Sequence, residues 1–472
     1  MTMDNPAIRQ AMTSVEAAAA RAAADPTRPG YHLLPPAHWM NDPNGPIYHD
    51  GYFHVFYQHN PYGDTWGDMH WGHARSVDLV RWEHLPIALW PSTELGEAHC
   101  FSGCARINGQ GEPMLFYTSV GIESDGQRRP NEQWAALGSP DWITWRKHPN
   151  NPILSLSSHD GPPFEGDWRD PYIFEADGRT FLVLGANLGH EATVALYEAT
   201  DPGLTQWAYR GLLYREPRDR MPFCECPNFF QVDGTWVLLI SPYRPVEYVT
   251  GEFAPDTLQF IPQRRGVLDH GQDDEPHFYA TNTVYDPSGR CILLGWVRGF
   301  PSGRGWNGCM ALPRVISVDS DGAPRQHPLP ELASLRREPV SLPGISASST
   351  VKKVADVNGD MLEIATTIRL GTARSAGLCL RCSEAGDPGI TVSYDGNSLT
   401  VRGNRVPVPP GREIRLHIFL DRSVVEVFAD EGRVAITQLV DARPDDTGVM
   451  FFATDGTAEA VPLDAWRMEP IW

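Results

Sequence analysis

The sequence predicts an all-β protein, a five-bladed β-propeller followed by a C-terminal β-sandwich, and three observations carry that reading. Period-2 alternation dominates after residue 30, with few long stretches of 3.6-residue periodicity. Glycine (43) and proline (42) punctuate the chain as densely as many short strands require. Five times, finally, a glycine turn runs straight into an apolar β-type run: Gly51–Gln58, Gly111–Ser119, Gly178–Ala186, Gly234–Pro242 and Gly289–Val297. These glycines stand 60, 67, 56 and 55 residues apart. A repeat of that length, holding several short strands, is the pattern of propeller blades, and sandwich folds lack it.

At 472 residues the chain exceeds one ordinary core, so more than one domain is expected. Residues 1–30 read as an N-terminal extension with a short helix, since Ala17–Ala24 is alanine-rich but broken by Arg21 and preceded by Glu16. Residues 31–330 hold the five repeats. A change of texture at Pro328-Leu329-Pro330-Glu331 opens a linker, 331–346, with a short helix in ELASLRREP. From 347 to 472 the runs MLEIATTIRL, GITVSYDG, SLTVRG, REIRLHIFLD and SVVEVFAD alternate apolar with polar residues, and Tyr394-Asp395-Gly396-Asn397 is a hairpin signal. That is the expected antiparallel sandwich.

A formal charge of −20 argues against a nucleic-acid partner, which needs a basic patch, and disfavours a strongly anionic substrate. No run of about 18 apolar residues exists to cross a membrane, and no export-type apolar segment opens the chain, so a cytoplasmic location is expected. The eight cysteines read as small buried apolar residues. Cys224 and Cys226 flank Glu225, and in a regular strand both would face away from it. His70, His73 and His84 have spacings that give no support for a metal site, and no metal or cofactor is expected. Oligomeric state is not legible in the chain.

Three acids stand at matching points of the repeat. Asp42 lies nine residues before Gly51, Asp170 eight before Gly178 and Glu225 nine before Gly234. The matching place in the second repeat holds Ser102, and in the fifth the neighbourhood of Tyr279 and Ala280. If the repeats are radial, these positions converge on one axis. Acids crowded there repel, so at least one should hold its proton above the usual carboxylate range. A carboxylate beside a protonated carboxylic acid is the equipment of glycoside hydrolysis. Taken singly, Asp42 in Asn41-Asp42-Pro43-Asn44-Gly45 also suits a turn, and Arg169-Asp170 a local ion pair.

The chain also resembles a known family. HWMNDPNGPIYHDGYFHVFYQHNP is similar to the opening signature of glycoside hydrolase family 32, the β-fructofuranosidases or invertases, and the resemblance continues through WGHARSVDLVRWEHLPIAL, FSG, WRDP, ECP, HFYA and DRSVVEVFAD. It implies a five-bladed propeller with a sandwich. It implies Asp42 as nucleophile, Glu225 as general acid/base and Asp170 as transition-state stabiliser in a retaining reaction, without a metal. Sugar binding is then expected of Asn41, Gln58, Ser102, Arg169, His277 and Tyr279, with ring faces from Trp66, Phe101 and Trp306. Where the family often reads Asp-Phe-Tyr-Ala this chain has His277-Phe278-Tyr279-Ala280 after Asp273-Asp274-Glu275, a difference that falls on the leaving-group side. The segment Phe300–Gly308 is expected to form a loop over that rim. A small neutral saccharide, sucrose in the simplest case, is the expected substrate. A fructan hydrolase or fructosyltransferase would use the same residues, and a non-catalytic sugar-binding propeller is the reading from another class.

Overall fold

The computed structural model describes residues 5–122, 126–272, 276–387 and 389–472. Strands dominate it, and the one α-helix among the described residues is Pro6–Ala23. The chain divides into two compact units. One holds the chain up to Ala24, Leu33–Val267 and Tyr279–Pro324, and the other Asp25–His32, Leu268–Phe278 and Arg325–Trp472. No helix of the described residues is long and apolar enough to cross a membrane.

Among the described residues the first unit carries five sheets, whose first strands are His38–His49, Glu97–Ile107, Trp168–Ala176, Glu225–Val232 and Phe278–Tyr285. Each first strand turns back into one of the five apolar runs. The turn glycines explain the repeat: Gly51, Gly111, Gly178, Gly234 and Gly289 have φ of 87°, 81°, 68°, 79° and 85°. Three are preceded by an aspartate that is also left-handed, Asp50, Asp177 and Asp233, as a type I′ hairpin requires. Nothing stands within 4 Å of a Cβ built on these glycines, so conformation and not space demands glycine.

Neighbouring sheets pack face to face. Phe174 and Phe181 of the third meet Phe229, Trp236 and Phe253 of the fourth in one buried cluster, with the Phe174 and Phe229 rings 5.0 Å apart, edge to face. The second and third are joined in the same way around Phe116, Leu182 and Trp207. This packing lays the first strands beside one another. The helix Pro6–Ala23 begins where the Asn5 side chain accepts from the Ala7 and Ile8 N–H groups, and it buries Ile8 and Ala11 against Ile87. In its last turn Arg21 Nη2 donates to the Gly303 carbonyl at 2.7 Å.

The second unit is a sandwich of two antiparallel sheets whose inner faces share one core. Ile364, Ile418, Val425 and Val427 come from one sheet, and Leu378, Val392, Val449 and Phe451 from the other. The stretch 331–346, expected to be a linker, is instead built into it. Arg336–Leu342 pairs with Thr457–Met468, and Ile345–Ser348 pairs with the same strand. Its polar composition is that of an edge strand, held by backbone bonds with little burial of its side chains.

The segment Asp25–His32 is held in this unit by DRSVVEVFAD. The Asp421 carboxylate accepts from the Gly30 N–H at 2.7 Å and the Tyr31 N–H at 2.8 Å. His32 lies between two carboxylates, Nδ1 2.7 Å from Asp421 and Nε2 3.1 Å from Glu426, all nearly inaccessible to solvent. Burial pulls its pKa down, but the bonds to Asp421 and Glu426 outweigh burial and hold the imidazole at about 9 against an ordinary 6.5. The folded form therefore keeps a proton that the unfolded chain releases. The stability this contributes, about 3 kcal/mol, is fully present below pH 6.5 and is lost as pH rises through 9. Thermal melts should show Tm falling between pH 6.5 and 9, and His32→Gln should flatten that slope. A wild-type Tm constant over the interval would contradict the ion-pair account.

Candidate active site

Each of the first four first strands is bulged at or beside its candidate residue. Two residues face one across the hairpin at Asn41-Asp42, Phe101-Ser102, Asp170-Pro171 and Cys226-Pro227. Asp170, Cys226 and Ala280 take left-handed φ of 65°, 47° and 44°. The three acids thus occupy successive places around one recurring bulge: Glu225 before it, Asp170 its first residue, Asp42 its second. Pro43, Ser102, Asp170, Cys226 and Thr281, one from each first strand, line a single narrow cavity. A larger cavity of about 580 Å³ between Tyr214 and Arg264 contains none of these acids.

The bulge overturns the expectation for Cys226. Its left-handed φ breaks strand alternation, so that Sγ lies 3.6 Å from Asp42 Oδ2 while its N–H donates to Asp170 Oδ2 at 3.0 Å. One residue following Glu225 therefore touches both other acids. Cys224 behaves as expected, buried against Met221.

Asp42 sits in a fan of donors. Ser102 Oγ reaches Oδ2 at 2.5 Å, Gln58 Nε2 at 3.4 Å, and Asn41 Nδ2 reaches Oδ1 at 3.1 Å. Gln58 also lies 2.5 Å from Ser102 Oγ, and Trp39 Nε1 orients Asn41 by donating to Oδ1 at 2.7 Å. Among the described residues Asp170 receives no side-chain donor closer than Arg169 Nε at 3.6 Å, while its own N–H is anchored on Thr118 Oγ1. Burial pushes its carboxyl up to about 7, with Arg169 and the Cys226 N–H pulling against that rise and the Glu225 and Asp42 charges adding to it.

Glu225 is raised by burial above the ordinary carboxylate range, against the pull of Arg169. Arg169 Nη2 donates to its Oε1 at 2.7 Å and to the Tyr243 hydroxyl at 2.6 Å, and the guanidinium stacks on Phe223. The Tyr279 hydroxyl is 2.6 Å from both Glu225 Oε2 and the Ser241 carbonyl oxygen, and it accepts from the Tyr243 N–H at 2.9 Å. One phenolic proton cannot serve two acceptors. The contacts are all satisfied when Tyr279 donates to Ser241 and Glu225 carries a proton on Oε2 that it donates to Tyr279. Burial acts in the direction of that protonated arrangement, while the Arg169 guanidinium and a Tyr279 hydroxyl that donates to Glu225 would act against it.

Asn41, Gln58, Ser102, Arg169 and Tyr279 are therefore brought together with the acids. Trp66 is half exposed, 6.1 Å from Phe101 in an edge-to-face pair. Trp306 is not a sugar platform. It is fully buried against Phe300, because Trp306–Asn307 pairs in parallel with His38–Trp39. The loop leading to it is pinned where Asp64 Oδ2 accepts from the Gly303 and Gly305 N–H groups. His277 groups with the second unit, and Asp273, Asp274 and Glu275 lie outside the described residues. Sequence reasoning missed Trp39, Thr118, Cys226 and Tyr243 as neighbours of the acids. Of these, Thr118, the residue facing the Phe101-Ser102 bulge, could have been found from the repeat. Among the described residues no cluster of three His, Cys, Asp or Glu side chains could hold a metal ion.

The model of the glycosyl hydrolases family 32 N-terminal domain matches residues 32–328, and that of the family 32 C-terminal domain matches 331–467. The chain belongs to glycoside hydrolase family 32. Membership makes it a glycoside hydrolase of the β-fructofuranosidase kind. Among family 32 relatives, a sucrose-6-phosphate hydrolase of Escherichia coli is 32% identical, covering 93% of this chain and 94% of its own. A raffinose invertase of the same organism is 30% identical over 93% of this chain and 95% of its own. The structure of a Bombyx mori family 32 β-fructofuranosidase superposes with a TM-score of 0.84 at 29% identity, covering 99% of both chains.

Proposed function

We propose that this enzyme releases fructose from terminal β-D-fructofuranosides with retention of configuration, and that sucrose 6-phosphate is its preferred substrate. The observation that carries the reaction is the grouping of three carboxyl groups on the first strands around Cys226, one of them poised with a proton. In this reading Asp42 attacks the anomeric carbon of fructose, oriented by Ser102, Gln58 and Asn41. Glu225 gives its Oε2 proton to the departing oxygen. As a carboxylate it then draws a proton from the water that opens the fructosyl–Asp42 ester. Asp170, beside Arg169 and the Cys226 N–H, offers negative charge to the oxocarbenium-like transition state. The five sheets are read as the blades of a five-bladed propeller over residues 31–330, with 347–472 forming the bulk of the sandwich.

Preference for the phosphorylated sugar departs from the neutral saccharide expected from net charge. Four of the relatives, from Escherichia coli, two strains of Zymomonas mobilis and Bacillus subtilis, are named sucrose-6-phosphate hydrolases. Charges more than about 8 Å away are screened at physiological salt, so local cations outrank the total of −20. The test is kcat/KM for sucrose 6-phosphate, sucrose, inulin and levan, with product analysis. A ratio well above one for the phosphate over sucrose is expected, and a ratio below one would return the reading to neutral sugar.

Tyr279 gives a second test. If it accepts a proton from Glu225, Tyr279→Phe removes a partner of the protonated acid, whose pKa then falls. The basic limb of the kcat/KM profile should move to lower pH by roughly half to one unit. Movement to higher pH would mean that Tyr279 donates to an ionised Glu225.

A further inference from the structure

Arg298 stands one residue beyond the strand Cys291–Val297, part-buried. Its guanidinium carbon is 5.3 Å from the centre of the Tyr279 ring and 5.4 Å from that of Trp296. The hydroxyl of that tyrosine is the group in contact with Glu225 Oε2. Trp296 in turn packs edge to face on Trp39, the residue that orients Asn41. Arg298 is thus tied through two rings to Glu225, by way of the Tyr279 hydroxyl, and to Asn41, the neighbour of Asp42, by way of Trp39.

No carboxylate of the described residues pairs with Arg298, in a chain where 59 Asp and Glu outnumber 39 Lys and Arg. Arg169 shows the contrast: it stacks on Phe223 but is also bonded to Asp167 and Glu225. Aromatic faces steady a guanidinium from above while leaving its planar fork of N–H donors open. A fork held in that way matches two oxygens of a phosphate.

Resting on the reading of a phosphorylated disaccharide, we infer that Arg298 is the specificity-determining residue that grips the phosphate on the leaving hexose. A phosphate on the primary hydroxyl of that hexose lies about one sugar ring from the oxygen that Glu225 protonates. The interaction is made in ground and transition states alike, so it acts on KM more than on kcat.

The experiment measures kcat/KM on sucrose 6-phosphate and on sucrose for the wild type, Arg298→Gln and Arg298→Lys, at low and high salt. Inhibition by glucose 6-phosphate and by glucose is measured beside them. Arg298→Gln should lower the phosphate-to-sucrose ratio by about 10- to 100-fold, chiefly through KM, and should weaken glucose 6-phosphate far more than glucose. Arg298→Lys should restore part of the ratio. An equal fall on both substrates would show that Arg298 only steadies Tyr279, and would overturn the inference. An unchanged ratio in a wild type that does favour the phosphate would overturn the inference alone. A wild type that hydrolyses both without favouring the phosphate would overturn the substrate reading with it.

Discussion

Asp42→Asn should lower kcat/KM for every fructoside by about 10⁴-fold or more while leaving the protein folded. Asn keeps the size and one acceptor oxygen, so Ser102 and Gln58 retain a partner, but its amide cannot form the ester link to the sugar. The new NH2 faces the Asn41 Nδ2 that now donates to Asp42 Oδ1, a conflict between two donors of modest cost. Against it stands the loss of a negative charge beside Asp170 and Glu225, both of which that charge pushes upward. The balance predicts a Tm within a few degrees of the wild type, and a rise would fit the usual trade between stability and an active site of like charges. A folded variant with near-normal turnover would remove Asp42 from the chemistry.

Glu225→Gln should fail selectively. On sucrose or its 6-phosphate the departing oxygen is strongly basic, and loss of the acid should cost on the order of 10²- to 10⁴-fold. On an aryl fructoside, whose phenolate leaves unaided, formation of the fructosyl-enzyme should be largely restored. Breakdown of that intermediate would remain slow, because the same residue activates water. The signature is a rapid burst of phenol followed by a slow steady state, with added azide speeding the second phase. Equal losses on good and poor leaving groups, without a burst, would show that Glu225 does not move the proton.

The repeat was legible because its cause is local. The five glycines adopt left-handed φ, which the sequence announces through Gly and the Asp-Gly pairs. Apolar runs that follow them are buried on both faces, so they read clearly as strands. The three acids were legible from their distance to those glycines, although the count hid that each takes a different place around the bulge. Contacts made across sheets were not legible. Nothing near Tyr243 or Arg298 in the chain says that they meet Arg169 and Tyr279. Cys226 was misjudged because alternation was extended through a bulge that one left-handed residue creates. Trp306 was misjudged because a two-residue parallel pairing with His38–Trp39 has no periodicity to read. The edge strand Arg336–Leu342 passed for a linker because its side chains bury little.

The most direct measurement is of the intermediate itself. Glu225→Gln incubated with an aryl fructoside, quenched in acid during the slow phase and digested, should yield one peptide carrying a single fructosyl unit, and fragmentation should place it on Asp42. A burst with no covalent adduct, or an adduct on Asp170 or any other residue, would contradict the account.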